Sequence, residues 1–195
     1  MISQGETFES LVRALSLLPG IGIRTAQRLV PAMVRWDDEK RTAFLDGLSP
    51  LRDLTICRQC GFLTDDSDCR ICQDGMGATR FAIVSHPQDV LALEAAGLTD
   101  VAFHCLGGLV SPGKGQDEDA LLLDALVQRI DENIQEVILA FGPGLEADLT
   151  TDAISRRLPQ TPLTRLATGL PVGADLSHSD VLTIRRSLEG RTKYE

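Results

Sequence analysis

Four cysteines constrain this chain more than any other feature: Cys57 and Cys60 form one C-x2-C pair and Cys69 and Cys72 a second, with eight residues between the pairs. Each pair offers two thiolates from a tight turn, and the short separation lets the turns face each other around one tetrahedral ion. The nearby residues Arg58, Gln59, Thr64, Asp65, Asp66 and Asp68 are too polar for a core, so four unrelated apolar cysteines do not explain the pattern. An iron–sulfur cluster and a redox dithiol use similar spacings and stand as the alternatives to zinc. Four ligands leave no open coordination position, which makes the expected Zn2+ structural rather than catalytic. Cys105, the remaining cysteine, falls in an expected strand and reads as a small buried apolar side chain. An odd total of five cysteines fits a reducing compartment better than a disulfide framework. The start, Met1-Ile2-Ser3-Gln4-Gly5-Glu6, has no basic stretch followed by an apolar one, and apolar runs such as 102–110 fall far short of the roughly 20 residues of a membrane span. The expectation is a cytoplasmic protein with no membrane contact.

The second feature is Leu17-Leu18-Pro19-Gly20-Ile21-Gly22-Ile23-Arg24-Thr25-Ala26. Upstream, Phe8, Leu11, Val12, Leu15 and Leu18 recur at helical spacing, predicting an amphipathic helix over 8–17; a second helix is expected from Arg24 onward. A Gly-x-Gly turn between two helices lets a phosphate approach bare backbone, and the next helix presents its unpaired N–H groups to that phosphate. Arg24 and Arg28 lie one turn apart beside it. A plain helix-to-helix turn is the competing reading, but the whole run resembles the helix-hairpin-helix motif, which holds DNA backbone without reading sequence. The net charge of −9 argues against a polyanion only as an average. Residues 1–36 carry Arg13, Arg24, Arg28 and Arg35 against Glu6 and Glu9, a balance of +2, whereas residues 81–195 carry −8. DNA contact is therefore expected at Gly20, Gly22, Arg24 and Arg28, leaving the acidic remainder for cations or a basic partner.

Beyond a short helix expected over 36–48 and the cysteine-rich stretch, the pattern changes at Phe81 to alternating strands and helices. Strands are expected at 81–84, 101–106, 136–141 and 162–167, and helices at 87–96, 117–130 and 146–158. Repeated β-α-β units imply a parallel sheet with right-handed crossovers. His104 and His178 each lack an acidic or nucleophilic partner at a supporting spacing and read as structural.

The order of these motifs resembles the RecR family of bacterial recombination mediators over nearly the whole chain. The markers are Leu18-Pro19-Gly20-Ile21-Gly22 with Ala26-Gln27-Arg28-Leu29, the four cysteines with Cys69-Arg70-Ile71-Cys72, and His104-Cys105-Leu106-Gly107-Gly108 followed by Ser111-Pro112. Glu136-Val137-Ile138-Leu139-Ala140, Arg165-Leu166-Ala167-Thr168-Gly169-Leu170-Pro171-Val172-Gly173 and Leu188-Glu189-Gly190-Arg191 complete it. The resemblance implies an α+β protein in four parts: a helix-hairpin-helix region at 1–54, a four-cysteine zinc finger at 55–76, an α/β Toprim domain with a mostly parallel sheet at 77–172, and a C-terminal helical segment at 173–195. It also implies a non-enzymatic DNA-repair role, a homotetrameric ring, and the partners RecO and RecF in loading recombinase on DNA.

Departures from the family pattern bear on the Toprim part. Ser85 stands where Toprim domains place a glutamate after the first strand, Asp89 is retained, and Gly142-Pro143-Gly144-Leu145-Glu146-Ala147-Asp148 replaces the usual Asn-Pro-Thr-x-Glu-Gly-Glu. Ile23 also stands where the family often has proline. In related nucleases such carboxylates hold magnesium for phosphoryl transfer. The alternative function is accordingly a Mg2+-dependent nuclease or primase-like enzyme. Losing the glutamate argues against it, and Asp89, Glu146 and Asp148 are instead expected to serve partner recognition.

Overall fold

The computed structural model describes residues 5–65 and 69–191. The chain divides into two compact units, Met1–Asp53 and Leu54–Glu195. Asp66 and Asp68, which the sequence reading uses as polar neighbours of the cysteines, lie outside the described residues.

The first unit is helical: α1 spans Glu6–Leu15, α2 Ile23–Val34 and α3 Asp38–Leu48, the last running into a 3-10 turn at Ser49–Arg52. The apolar stripe of α1 turns Val12 onto Ala26 and Val30 of α2, with Phe8, Leu15 and Ile21 packed around them. Leu11 and Leu18 share the same periodicity, yet both stay about half exposed, so the packed face is narrower than the sequence stripe. α2 continues through Pro31, a residue that disturbs a helix but does not end this one. α3 starts where Asp37 accepts a hydrogen bond from the Lys40 amide at 2.7 Å, an N-cap that fixes the boundary two residues past Trp36.

In the second unit, β1 (Thr55–Ile56) and β2 (Leu63–Thr64) form an antiparallel hairpin, followed by α4 (Arg70–Asp74). Then come β3 (Arg80–Val84), α5 (Pro87–Ala95), β4 (Ala102–Cys105), α6 (Leu123–Arg129), β5 (Glu136–Leu139), α7 (Leu145–Arg157), β6 (Leu163–Arg165) and α8 (Val181–Glu189). β3 to β6 form one parallel sheet in the order β4-β3-β5-β6, as the repeated β-α-β pattern requires. Successive side chains of a strand point to opposite faces, so Phe81 and Ile83 pack with Leu123, Leu126 and Ile154, while Ala82 and Val84 pack with Val90 and Phe103. Burial on both faces is why β3, β4 and β5 read as near-continuous apolar runs, whereas β6, at the edge, is mostly exposed.

The helix expected over 117–130 is broken. Glu118–Ala120 forms one 3-10 turn, Leu121 is extended, and α6 begins only at Leu123. The cause is tertiary: the Leu122 amide donates to the Leu106 carbonyl at 3.1 Å, and the Leu122 carbonyl accepts from His104 Nε2 at 2.9 Å. Extension there buries Leu121 and Leu123 together, which a regular helix through 117–130 would not do.

The two edges of the sheet differ. Along β4 the Cys105 amide donates to the Cys60 carbonyl at 2.7 Å, so the cysteine-rich lobe lies against this edge. Gly61, at φ +73°, sits so close that a Cβ there would run into the Cys105 carbonyl oxygen. A Cβ on Gly75 would lie 2.8 Å from that of Ala102. Glycine is needed at both positions for the lobe to reach the strand.

Candidate functional site

The four cysteine sulfurs lie within 4.8 Å of one another, and theirs is the one group among the described residues, counting His, Cys, Asp and Glu, that could hold a metal ion. Local structure brings them together. The Cys57 amide donates to the Phe62 carbonyl at 2.7 Å and the Gly61 amide to the Cys57 carbonyl at 2.8 Å, folding the first pair into a tight turn. Cys69 is the N-cap of α4, and Cys72 follows one turn later. Across the group, Cys57 and Cys72 Sγ are 3.8 Å apart and Cys60 and Cys69 Sγ 3.5 Å. A tetrahedral ion with metal–sulfur bonds of about 2.3 Å has sulfur–sulfur edges of about 3.8 Å, so these residues fit such an ion.

The electrostatics of the group resist ionisation at two of its thiols. Burial pushes the Cys60 thiol well up and the Cys72 thiol up to about 11. Burial also acts to raise Cys57, but the backbone amides of Cys60 and Gln59 outweigh it and hold that thiol down to about 7. Four thiolates this close repel one another, and a divalent cation at their centre removes that cost. Cys105 lies outside the group, fully buried in β4, where burial pushes its thiol up to about 12. It is an inert core side chain.

At the turn between α1 and α2, Gly20 takes φ +80° and Gly22 is the N-cap of α2. A Cβ added at either would meet nothing within 4 Å, so the backbone is open to an approaching group. Gly22 has no side chain to cap the helix, and the Ala26 amide is the first to find a carbonyl partner, Gly22 at 3.0 Å. The amides of Ile23, Arg24 and Thr25 are therefore left as donors at the positive end of the helix dipole. Arg24 and Arg28 are exposed and one turn apart on α2, and neither has an ion-pair or hydrogen-bond partner among the described residues. Leu17 and Ile23 flank the turn at 84% and 63% exposure.

The three candidate carboxylates, Asp89, Glu146 and Asp148, are each engaged by their own chain. Asp89 accepts from Ser85 Oγ at 2.8 Å and from the His86 amide at 2.9 Å, closing the N-terminus of α5. Glu146 accepts from Ser111 Oγ at 2.6 Å and from Lys114 Nζ at 3.1 Å, partners that hold its carboxyl below the ordinary range. Asp148 is paired with Arg165 at 2.8 Å. Glu146 and Asp148 both lie in the first turn of α7, where carboxylates suit the helix dipole. The structure does not bring the three into a group able to hold an ion. Ser111 and Lys114 escaped the sequence reading as partners of Glu146 because the contacts span 35 and 32 residues.

His104 is fully buried. Its Nε2–H donates to the Leu122 carbonyl at 2.9 Å, so Nδ1 is the acceptor for Arg129 Nη1 at 3.2 Å. Burial holds its pKa down to about 4, assisted by the Arg129 charge. The arrangement is a structural lock, consistent with a lone histidine. His178 is exposed in a 3-10 turn at Leu176–His178.

Comparison with known proteins agrees with this layout. The Toprim domain pattern matches residues 80–167, covering the parallel sheet, and the pattern described as RecR, C-terminal, matches residues 169–192. The recombination protein RecR of a Synechococcus strain is 41% identical over 191 residues, covering 95% of this chain and 88% of the relative. That of a Prochlorococcus marinus strain is 42% identical over 178 residues, covering 89% and 94%. A third, from another Synechococcus strain, is 39% identical over 189 residues and covers 95% of both chains.

Proposed function

This chain belongs to the RecR family of recombination proteins, and on that premise we propose that it is a non-enzymatic mediator of recombinational repair which holds DNA by its backbone. The observation that carries the reading is the hairpin turn: bare backbone at Gly20 and Gly22, an uncapped helix N-terminus, and the unpaired Arg24 and Arg28 coincide there. Amide donors, a helix dipole and guanidinium groups together fit a phosphate, and none of them reads base sequence. Each such contact is weak. Copies of the chain arranged as a ring, a homotetramer by family resemblance, convert weak contacts into a stable clamp through effective concentration.

The four-cysteine centre holds zinc in this reading, with Cys57, Cys60, Cys69 and Cys72 as ligands. The ion supplies folding energy to a lobe that buries little apolar surface of its own. The hairpin, zinc finger, Toprim part and C-terminal segment are assigned to 1–54, 55–76, 77–172 and 173–195. Asp89, Glu146 and Asp148 belong to the surface that meets a basic partner, with RecO and RecF as the partners for loading recombinase, in the cytoplasm. Their engagement by Ser85, Ser111, Lys114 and Arg165 supports a recognition role over a reacting centre with a positioned metal.

The experiment is fluorescence anisotropy of a labelled DNA oligonucleotide at low salt. Arg24→Glu with Arg28→Glu weakens binding by about tenfold or more on every sequence tried and flattens its salt dependence. Wild-type affinity in a folded double variant removes the hairpin from the interface. Glu146→Gln should abolish RecO binding and leave DNA binding alone. Magnesium-dependent DNA cleavage that disappears in Glu146→Gln, with fold and assembly intact, would falsify the mediator reading.

A further inference from the structure

Most positive charges of this acidic chain are answered by their own neighbours. Arg13, Arg41, Arg70, Arg80, Lys114, Arg156, Arg157 and Arg165 are in ion pairs. Lys40 sits over the Trp36 ring, Arg129 over Phe81, and Arg191 Nη1 donates to the Leu188 carbonyl at 2.7 Å. Among the described residues, Arg52 and Arg58 are left over singly, and unanswered arginines gather in only two places. One is α2 with its C-cap, carrying Arg24, Arg28 and Arg35; the other is α8, carrying the adjacent pair Arg185 and Arg186.

The α8 pair is unexpected on electrostatic grounds. Two like charges one residue apart repel, and residues 81–195 hold a surplus of carboxylates that could have neutralised them. Glu189 lies four residues from Arg185 and three from Arg186, within side-chain reach on a helix, yet it makes no ion pair with either. Nor are both needed to complement the helix end, because Arg191 already donates to the Leu188 carbonyl there. No residue of α8 is buried, and Asp180 fixes its start by accepting from the Leu182 and Thr183 amides at 3.0 Å each. The helix is thus defined by its own cap and carries an exposed Arg185 and a half-buried Arg186 that shares a cavity rim with Asp148 and Glu189, neither arginine in an ion pair.

We propose that α8 is a second DNA-backbone surface, in which Arg185 and Arg186 contact phosphates in addition to those held at the hairpin. The inference rests on DNA being the ligand, as argued above. Phosphates fit because each neutralised one releases counterions, a gain that grows with each free cation and needs no base recognition. In an assembly of several copies the pair is repeated on every protomer, so its contribution multiplies.

The test compares DNA affinity and its salt dependence for the zinc-loaded protein, Arg185→Gln with Arg186→Gln, and Arg185→Lys with Arg186→Lys, each checked by light scattering at the same concentration. The expected result for the glutamine variant is at least about tenfold weaker binding at low salt and a slope of log affinity against log salt shallower by about 1.8 for each protomer that engages the duplex. The lysine variant should retain affinity, because a phosphate accepts either cation. Wild-type affinity and slope in the glutamine variant overturn the proposal, as does a fall in assembly mass that accounts for the loss. Lysine failing to rescue also overturns it and points to a carboxylate-bearing protein partner that needs the guanidinium fork. If the wild-type protein binds no DNA, the function proposed above fails first and independently of this surface.

Discussion

The turn between α1 and α2 and the sheet with its loops treat their polar groups in opposite ways. At the hairpin, the amides of Ile23, Arg24 and Thr25 and the side chains of Arg24 and Arg28 have no partner among the described residues. In the sheet unit, Asp89, Glu146 and Asp148 are each engaged, buried His104 uses both ring nitrogens, and the crowded sulfurs fit one cation. Unanswered groups cost little where water reaches them and are available to a ligand; answered groups hold the structure together. The contrast teaches that removing a buried, answered polar group should cost stability, whereas removing an unanswered one should cost binding.

The largest expected effect on stability is at the metal centre. Cys60→Ser should lose the ion and destabilise the second unit by on the order of 5 kcal/mol or more, read by elemental analysis and thermal unfolding. Protein purified without chelator and found free of zinc would contradict the metal assignment. Next comes Gly61→Ala, which combines an L side chain at positive φ with a collision against the Cys105 carbonyl; a loss of about 3 kcal/mol in denaturant unfolding is expected.

Acid should act through His104 by a similar amount. Its folded pKa is about 4 against about 6.5 in the unfolded chain. Above 6.5 both states are neutral and the contribution is complete. Between the two values the unfolded state binds a proton that the folded state refuses, so stability falls as pH drops from about 6.5 to about 4. The total is about 3 kcal/mol, and His104→Gln should flatten that part of the pH–stability curve. Smallest of all, Arg24→Gln with Arg28→Gln should leave the unfolding midpoint unchanged while weakening DNA binding; a large drop in midpoint would break the contrast.

Much of the fold was legible because its signals are local. The strand expected at 81–84 is observed as Arg80–Val84, that at 101–106 as Ala102–Cys105, and that at 136–141 as Glu136–Leu139. Buried parallel strands have few residue choices, so the apolar runs mark them. The cysteine spacing likewise encodes the metal group, since both pairs act through turns of three or four residues. What escaped depends on distant contacts. The break before α6 is set by Leu106 and His104, and Glu146 is engaged by Ser111 and Lys114 from a separate loop. The surplus arginines of α8 were visible as letters, but their lack of partners is a property of the folded surface.

The bond from the Cys105 amide to the Cys60 carbonyl has a consequence for the protein when metal is scarce. β4 is the outermost strand on its side of the sheet, and the metal-bearing lobe is what occupies its outer edge. Without the ion the lobe loses its organising centre, and a newly made chain then offers a bare strand for other chains to extend. Stripping the metal with a chelator is therefore expected to make the chain associate edge to edge, read as a rise in scattered light that restored metal prevents.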